Sequence, residues 1–249
     1  MLNHSRPCRA SYLIVAATVA LSLTGCVTIN KVADTKTNSS PAVTSAAKQV
    51  PTARVLYDTM RRSVAAAKSV RIKGEINTGG KTQTIDIAGD RDGKNTRALV
   101  NDGTGQAELL TVGDSVYIKA DTAYWTEHAS ATAAAVAAGK YVKVPAGMVG
   151  TDALKVGTLL DGAFTDLPLA GLLQKVEATD LDGTPAYVLA DRLNPQAGRI
   201  YISADGKARL LRIVSVKASA GTLDFSEWDS VPPKSAPPAD QLVKIPGLG

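Results

Sequence analysis

Val70-Arg71-Ile72-Lys73-Gly74-Glu75-Ile76-Asn77 alternates apolar and polar residues without a break. That period of two belongs to a β-strand with one buried face, because successive side chains on a strand point to opposite sides. A Thr-Gly-Gly turn follows, then Thr84-Ile85-Asp86-Ile87 with the same period. Two such runs joined by a glycine turn read as a β-hairpin.

The pattern extends downstream. Thr96–Val100, Glu108–Val112, Val116–Lys119, Tyr124–Glu127 and Tyr141–Val144 read as further strands, and so do Val176–Asp180, Pro185–Ala190, Arg199–Ser203, Leu210–Lys217 and Thr222–Trp228. Asp-Gly pairs at Asp102-Gly103, Asp182-Gly183 and Asp205-Gly206 supply turns. Of these candidate runs, about ten or eleven are expected as strands in an antiparallel meander. Pro232, Pro233, Pro237 and Pro238 mark a coil near the C-terminus.

Two helical regions interrupt the strands. Thr52 is placed to cap a helix running to about Lys68, in which Leu56, Met60 and Val64 recur every four residues among Arg54, Asp58, Arg61 and Arg62. Residues 129–139 are nearly all alanine and predict a short helix ended by Gly139; residues 148–174 predict two or three short apolar helices. The fold class is therefore α+β, a single domain over residues 51–249. A curled antiparallel sheet is covered by the long N-terminal helix and the helical insertion. A sheet with one apolar face must bury it, and these helices are the elements able to do so.

The strand phase predicts which residues face inward: Val70, Ile72, Ile76, Ile85, Ile87, Val116, Ile118, Trp125, Val142, Val188, Ile200, Ile202, Leu223 and Phe225. Leu154, Leu159, Leu160, Phe164, Leu169 and Leu172 would form the helical cover. Phe164, Phe225, Trp125 and Trp228 are the only Phe and Trp in the chain, so most inward side chains are small. Small side chains on a curled sheet allow an apolar cavity fit for acyl chains. They fit a normally packed core equally well, and the residues leave both readings open.

The N-terminus carries a different signal. Arg6 and Arg9 precede an apolar run from Ala10 to Leu23, interrupted only by Ser11, Thr18 and Ser22. The run falls short of the about 20 residues that cross a bilayer. Its basic, apolar, small-residue order is that of a secretory signal. It ends in Leu23-Thr24-Gly25-Cys26, which resembles the bacterial lipobox, in which the cysteine receives diacylglycerol and becomes the first mature residue. Residues 1–25 are thus expected to be a lipoprotein signal peptide, and Cys26 the lipidation site. Residues 26–50 read as a Ser/Thr-rich flexible tether, whose length gives an r.m.s. span of roughly 27 Å.

Composition leaves little for covalent chemistry. Cys8 lies in the signal and Cys26 is taken up by lipid, so no thiol remains; His128 is the one histidine outside the signal and reads as a strand-end surface residue. That is too few ligands for a zinc site of the usual kind. Asp90/Asp92-Gly93 and Asp180/Asp182-Gly183 resemble calcium loops, but Ala88, Ala178, Leu99 and Leu189 stand where oxygen ligands would be needed. Phosphate-loop and nucleophile-elbow patterns do not occur. The chain is expected to be no enzyme and to need no metal or other cofactor. Its formal net charge of +5 falls to +3 without Arg6 and Arg9 of the signal, and the remaining basic residues are scattered singly along the predicted strands, which argues against nucleic acid as a partner.

These features together resemble the mycobacterial LppX/LprA/LprF/LprG lipoproteins, whose fold is similar to that of the LolA and LolB carriers. The resemblance lies in Leu23–Cys26, the tether, Ala-Lys-Ser-Val-Arg-Ile at 67–72, Gly-Asp-Ser-Val-Tyr-Ile-Lys followed by Tyr-Trp within 113–125, Leu-Asp-Gly-Thr-Pro-Ala-Tyr-Val-Leu at 181–189, Ile-Tyr-Ile at 200–202, Leu-Leu-Arg at 210–212 and Asp-Phe-Ser-Glu-Trp at 224–228. It implies a half-barrel with a cavity that binds and transports acylated lipids or lipoglycans. It also implies a monomer lipid-anchored on the extracytoplasmic face of the cell membrane, in contact with an envelope export partner. The alternative is an interaction or sensor module of the same fold with a filled core.

Replacing the lipidation cysteine tests the N-terminal reading. Two acyl chains anchor a protein stably where one does so only marginally, at about 0.8 kcal/mol per buried CH₂. Wild-type protein should enter the detergent-rich phase of a phase separation. Cys26→Ala should abolish metabolic labelling by palmitate and leave the cooperative melt unchanged. Wild-type protein in the aqueous phase would contradict the lipoprotein reading.

Overall fold

The computed structural model describes residues 50–245 apart from 79, 146–154, 166–167, 197 and 216–219. The signal, Cys26 and all but the last residue of the tether lie outside the described residues, as does Leu154.

Helix α1, Ala53–Ala66, forms as the sequence predicts. Thr52 caps it by accepting from the Val55 amide, and Leu56, Met60 and Val64 are buried. Ten strands follow the expected hairpins closely: β1 (Ser69–Thr78), β2 (Lys81–Asp90), β3 (Asn95–Asn101), β4 (Gln106–Val112) and β5 (Ser115–Ala120), then β7 (Glu177–Leu181), β8 (Thr184–Ala190), β9 (Arg199–Ser203), β10 (Leu210–Ser215) and β11 (Ala220–Ser226). Strand β6 is Tyr141–Val144, and a two-residue β12, Leu242–Val243, was not foreseen. Helices α2 (Thr122–His128) and α3 (Ala131–Ala137) lie between β5 and β6, and α4 (Val156–Thr165) between β6 and β7. A short 3₁₀ turn, Leu169–Gly171, follows α4.

The twelve strands form one sheet in the order β12-β6-β5-β4-β3-β2-β1-β11-β10-β9-β8-β7. It is curled and unclosed, and every pair is antiparallel except β12 on β6. Two meanders, β1–β6 and β7–β11, are joined at β1–β11, where first and last long strands of the fold pair over seven residues. The approach there is close. A Cβ on Gly74 would lie 1.9 Å from the Thr222 carbonyl oxygen, and one on Gly221 would lie 2.0 Å from that of Glu75. Both glycines are required by the contact itself, since any side chain would push the strands apart.

The two faces differ. On the outer face one register row reads Tyr201, Arg212, Asp224, Lys73, Asp86, Leu99, Glu108, Lys119, Tyr141 across nine strands. Opposite charges neighbour each other along much of it. Arg212 donates to Asp224, Arg71 reaches Asp86 at 2.6 Å, and Arg97 reaches Glu108 at 2.7 Å. The hydrogen bonds from Arg71 hold the Asp86 carboxyl below the usual carboxylate range. The proline-rich segment runs from Ser69, which meets the Val231 amide, past Asn95, which exchanges two hydrogen bonds with Lys234, to β12 on the edge of β6.

The seam supplies a stability test. Gly74→Ala should destabilise the fold by about 1–3 kcal/mol, the usual cost of overpacking, read from the denaturant midpoint. Gly162→Ala, within α4 and with open space around its Cβ, should instead stabilise it by up to about 1 kcal/mol through helix propensity.

Candidate functional site

Three register rows form the inner face. The middle row is Phe225, Ile72, Ile87, Ala98, Leu109, Ile118, Val142. Beside it run Leu223, Gly74, Ile85, Val100, Ala107, Ala120, and on the other side Val70, Gly89, Thr96, Thr111, Val116, Val144. Glycine and alanine occupy the centre of these rows, on β1 to β5. Their apolar members join the buried residues of α1, α4 and α2 in one core cluster.

The helical cover is held by specific contacts. The Arg61 guanidinium of α1 lies over the Phe164 ring of α4, 4.4 Å from its centroid. Arg91, at the end of β2, donates to the Val64 carbonyl oxygen of α1 and to Asp161 of α4. Its own carbonyl accepts from the Gly157 amide, and a Cβ on Gly157 would come within 2.7 Å of that oxygen. α1, β2 and α4 are thus pinned at one residue.

Most sequence-predicted residues fall on this face. Val70, Ile72, Ile85, Ile87, Val116, Ile118, Val142, Ile200, Ile202 and Phe225 are buried in the cluster, as are Leu160, Phe164 and Leu172. Ile76, Leu159, Leu169 and Leu223 pack against it partly buried.

Two placements need correction. Val188 pairs with Tyr201 on the outer face; Leu189, paired with Ile200, is the inward residue, together with Tyr187, paired with Ile202. Apolar neighbours in Tyr187-Val188-Leu189 hide the phase, and pairing alone sets it. Tyr124–Glu127 is helix α2, not a strand, so Trp125 reaches the core from the helical side. Asp121 caps that helix by accepting from the Tyr124 amide, a signal present in the sequence. Leu109, Leu210 and Ile213 are also in the cluster. The last two stand three apart because β10 shifts register between Leu210 and Arg212.

Two buried polar atoms on this side have no hydrogen-bond partner among the described residues: the Trp125 Nε1 and the Thr96 Oγ1. Leaving a buried donor unpaired costs about 1–3 kcal/mol. α2, which carries Trp125, is latched to the β3–β4 loop. His128 lies at its end, and its Nε2 is 2.6 Å from Asp102 Oδ2. Asp102 Oδ1 accepts from the Thr104 and Gly105 amides. Partial burial raises the Asp102 carboxyl, but those amides and His128 outweigh it and bring it down to about 2. His128 is therefore a helix-end residue with a defined partner, where the sequence predicts a strand end. Among the described residues no group of three or more His, Cys, Asp and Glu side chains could hold a metal ion.

No protein-family model and no curated protein sequence matches this chain. Among solved structures it is similar to the Mycobacterium tuberculosis lipoprotein LppX, at 13% identity and a TM-score of 0.42, over 71% of this chain and 94% of that one. It is also similar to an uncharacterised conserved protein of Thermus thermophilus, at 14% identity and a TM-score of 0.31, over 78% and 99%. A third similar structure is a DUF1329 family protein of Desulfovibrio piger, at 15% identity and a TM-score of 0.21, over 71% and 92%. The lipoprotein LppX, to which the sequence motifs point, is thus among the solved structures that this chain resembles.

The α2 latch has a pH signature. The Asp102 carboxyl lies below its ordinary value of about 3.9, so its stabilisation is complete above that pH and fades as pH falls towards 2. Asp102→Asn should lower the melting temperature at pH 7 and flatten the loss of stability between about pH 4 and 2. An unchanged acid profile would remove the latch from the account.

Proposed function

We propose that this chain is a lipid-anchored protein of the extracytoplasmic membrane face that binds acylated lipid between its sheet and its helices and carries it within the envelope. No covalent step is involved. The anchor rests on Leu23–Cys26. The binding reading is carried by the Trp125 indole N–H, which is buried without a partner among the described residues and belongs to the same apolar cluster as Ala98, Ala107 and Ala120. A desolvated donor in a cluster with small apolar side chains suits a single acceptor oxygen carried on an otherwise apolar guest. An unpaired buried group of this kind calls for an explanation, and a ligand acceptor supplies one.

The test combines contents with filling. Native mass spectrometry and organic extraction of the detergent-purified full chain should yield a stoichiometric acylated lipid. Ala98→Phe should abolish that lipid with little change in the melt, because the ring takes space the acyl chain used. In a filled core the same substitution should cost about 1–3 kcal/mol, with no lipid to lose. Leu99→Phe, on the outer face, is the matched control. Wild-type protein without lipid, combined with a destabilised Ala98→Phe variant, would favour the filled interaction module.

A further inference from the structure

A cleft of about 450 Å³ opens between α1 and the β9–β10 turn. Its rim is cationic. Arg62 comes from α1, and Lys207 and Arg209 come from the turn and the start of β10. Arg62 and Lys207 are exposed, and Arg62 donates only to the Thr59 hydroxyl, so neither forms an ion pair among the described residues. Arg209 donates to the Trp228 carbonyl and, at 3.4 Å, to Asp229, the one carboxylate lining the cleft. Asp229 is also engaged by the Lys68 amide. On the same turn Asp205 lies outside the lining, and its Oδ1 accepts from the Ser203 hydroxyl and the Lys207 amide. The carbonyl of Val64, near the end of α1, is met by Arg91 and the Ala67 amide, so the negative end of that helix is capped.

The cleft wall is apolar and continuous with the interior. Ala67 and Trp228 line it and belong to the core cluster. The Trp228 ring stacks on Phe225 at 6.3 Å, and Phe225 opposes Ile72 in the middle row of the inner face. The Trp228 N–H is committed to the Leu210 carbonyl, which fixes the ring. One side of the cleft thus presents cations with spare donors and the other leads to apolar residues. That combination recognises a phosphate at the head of an apolar molecule, since arginine and lysine bind phosphate through charge-assisted hydrogen bonds.

Resting on the lipid-binding reading above, we infer that this cleft is a headgroup site, in which Arg62, Lys207 and Arg209 hold the phosphate of an anionic phospholipid whose acyl part lies toward Trp228. The class of ligand is thereby narrowed from acylated lipids in general to those with a phosphate. Inorganic phosphate shares the chemistry but lacks the apolar part.

The experiment uses the detergent-purified full chain and three probes: dioctanoyl phosphatidylglycerol, dioctanoylglycerol and inorganic phosphate. The variant Arg62→Glu/Lys207→Glu reverses the two charges that form no ion pair among the described residues, and Arg54→Glu, whose arginine pairs with Asp58 elsewhere on α1, is the control. The double variant should weaken phosphatidylglycerol by about tenfold, the weight of two partly screened ion pairs. Dioctanoylglycerol should stay within twofold, and only phosphatidylglycerol should weaken as salt rises. Equal binding of phosphatidylglycerol by wild type and double variant would overturn the headgroup site and leave the lipid reading intact. Binding of inorganic phosphate as tight as that of phosphatidylglycerol would overturn it too, by making the cleft a site for the free ion. Wild-type protein that takes up neither lipid would overturn both readings together.

Discussion

The pairing of β1 with β11 is the contact on which the rest of the structure depends. It joins strands that begin at Ser69 and end at Ser226, and makes one sheet of two meanders that are each built from local hairpins. Hairpins form between neighbours in sequence and cost little loop entropy; this pairing closes a long loop and must recover that cost in strand contact. Gly74 and Gly221 permit it by leaving no Cβ between the strands. Once the seam is closed, Phe225 and Leu223 extend the inner rows begun by Ile72 and Gly74, and α1 and α4 have one apolar face to cover.

Much of this was legible in the sequence because its signals are local. A period of two over eight residues at 70–77 leaves one strand phase, and β1 adopts it. The Thr52 cap and the spacing of Leu56, Met60 and Val64 specify α1 in the same way. What failed was decided elsewhere in space. Four residues at 124–127 are too few to separate a strand from a helix by period, and the Asp121 cap settles the matter. Tyr187-Val188-Leu189 offers no clean alternation, and Val188 is buried although it lies on the outer face. β12 is two residues in a parallel pair, set by where the proline-rich segment ends after Asn95. That the Trp125 indole N–H has no partner among the described residues is a property of packing and has no sequence signal at all.

The two faces suit two different surroundings. The outer ladder of arginine, aspartate, lysine and glutamate lets one face of a wide sheet meet water while its opposite charges pair across the strands. The inner rows place glycine and alanine where the sheet passes beneath the helices, so that the cover is held by a few pins: Arg91 between α1 and α4, Arg61 on Phe164, and Asp102 on His128. A cover pinned at points over small side chains is consistent with an interior that admits a flexible apolar guest.

The chain has two tryptophans, and both are buried in the core cluster, Trp125 at 4% and Trp228 at 7% exposure. They make the most direct probe of an acyl chain in the interior. Bromine on a lipid acyl chain quenches indole fluorescence only on contact. Titration of the full chain with a phospholipid brominated in mid-chain should quench Trp125 saturably in a Trp228→Phe background, with the non-brominated lipid as competitor. Trp125 left unquenched across the whole titration would contradict the account, because the space between sheet and helices would then hold protein alone.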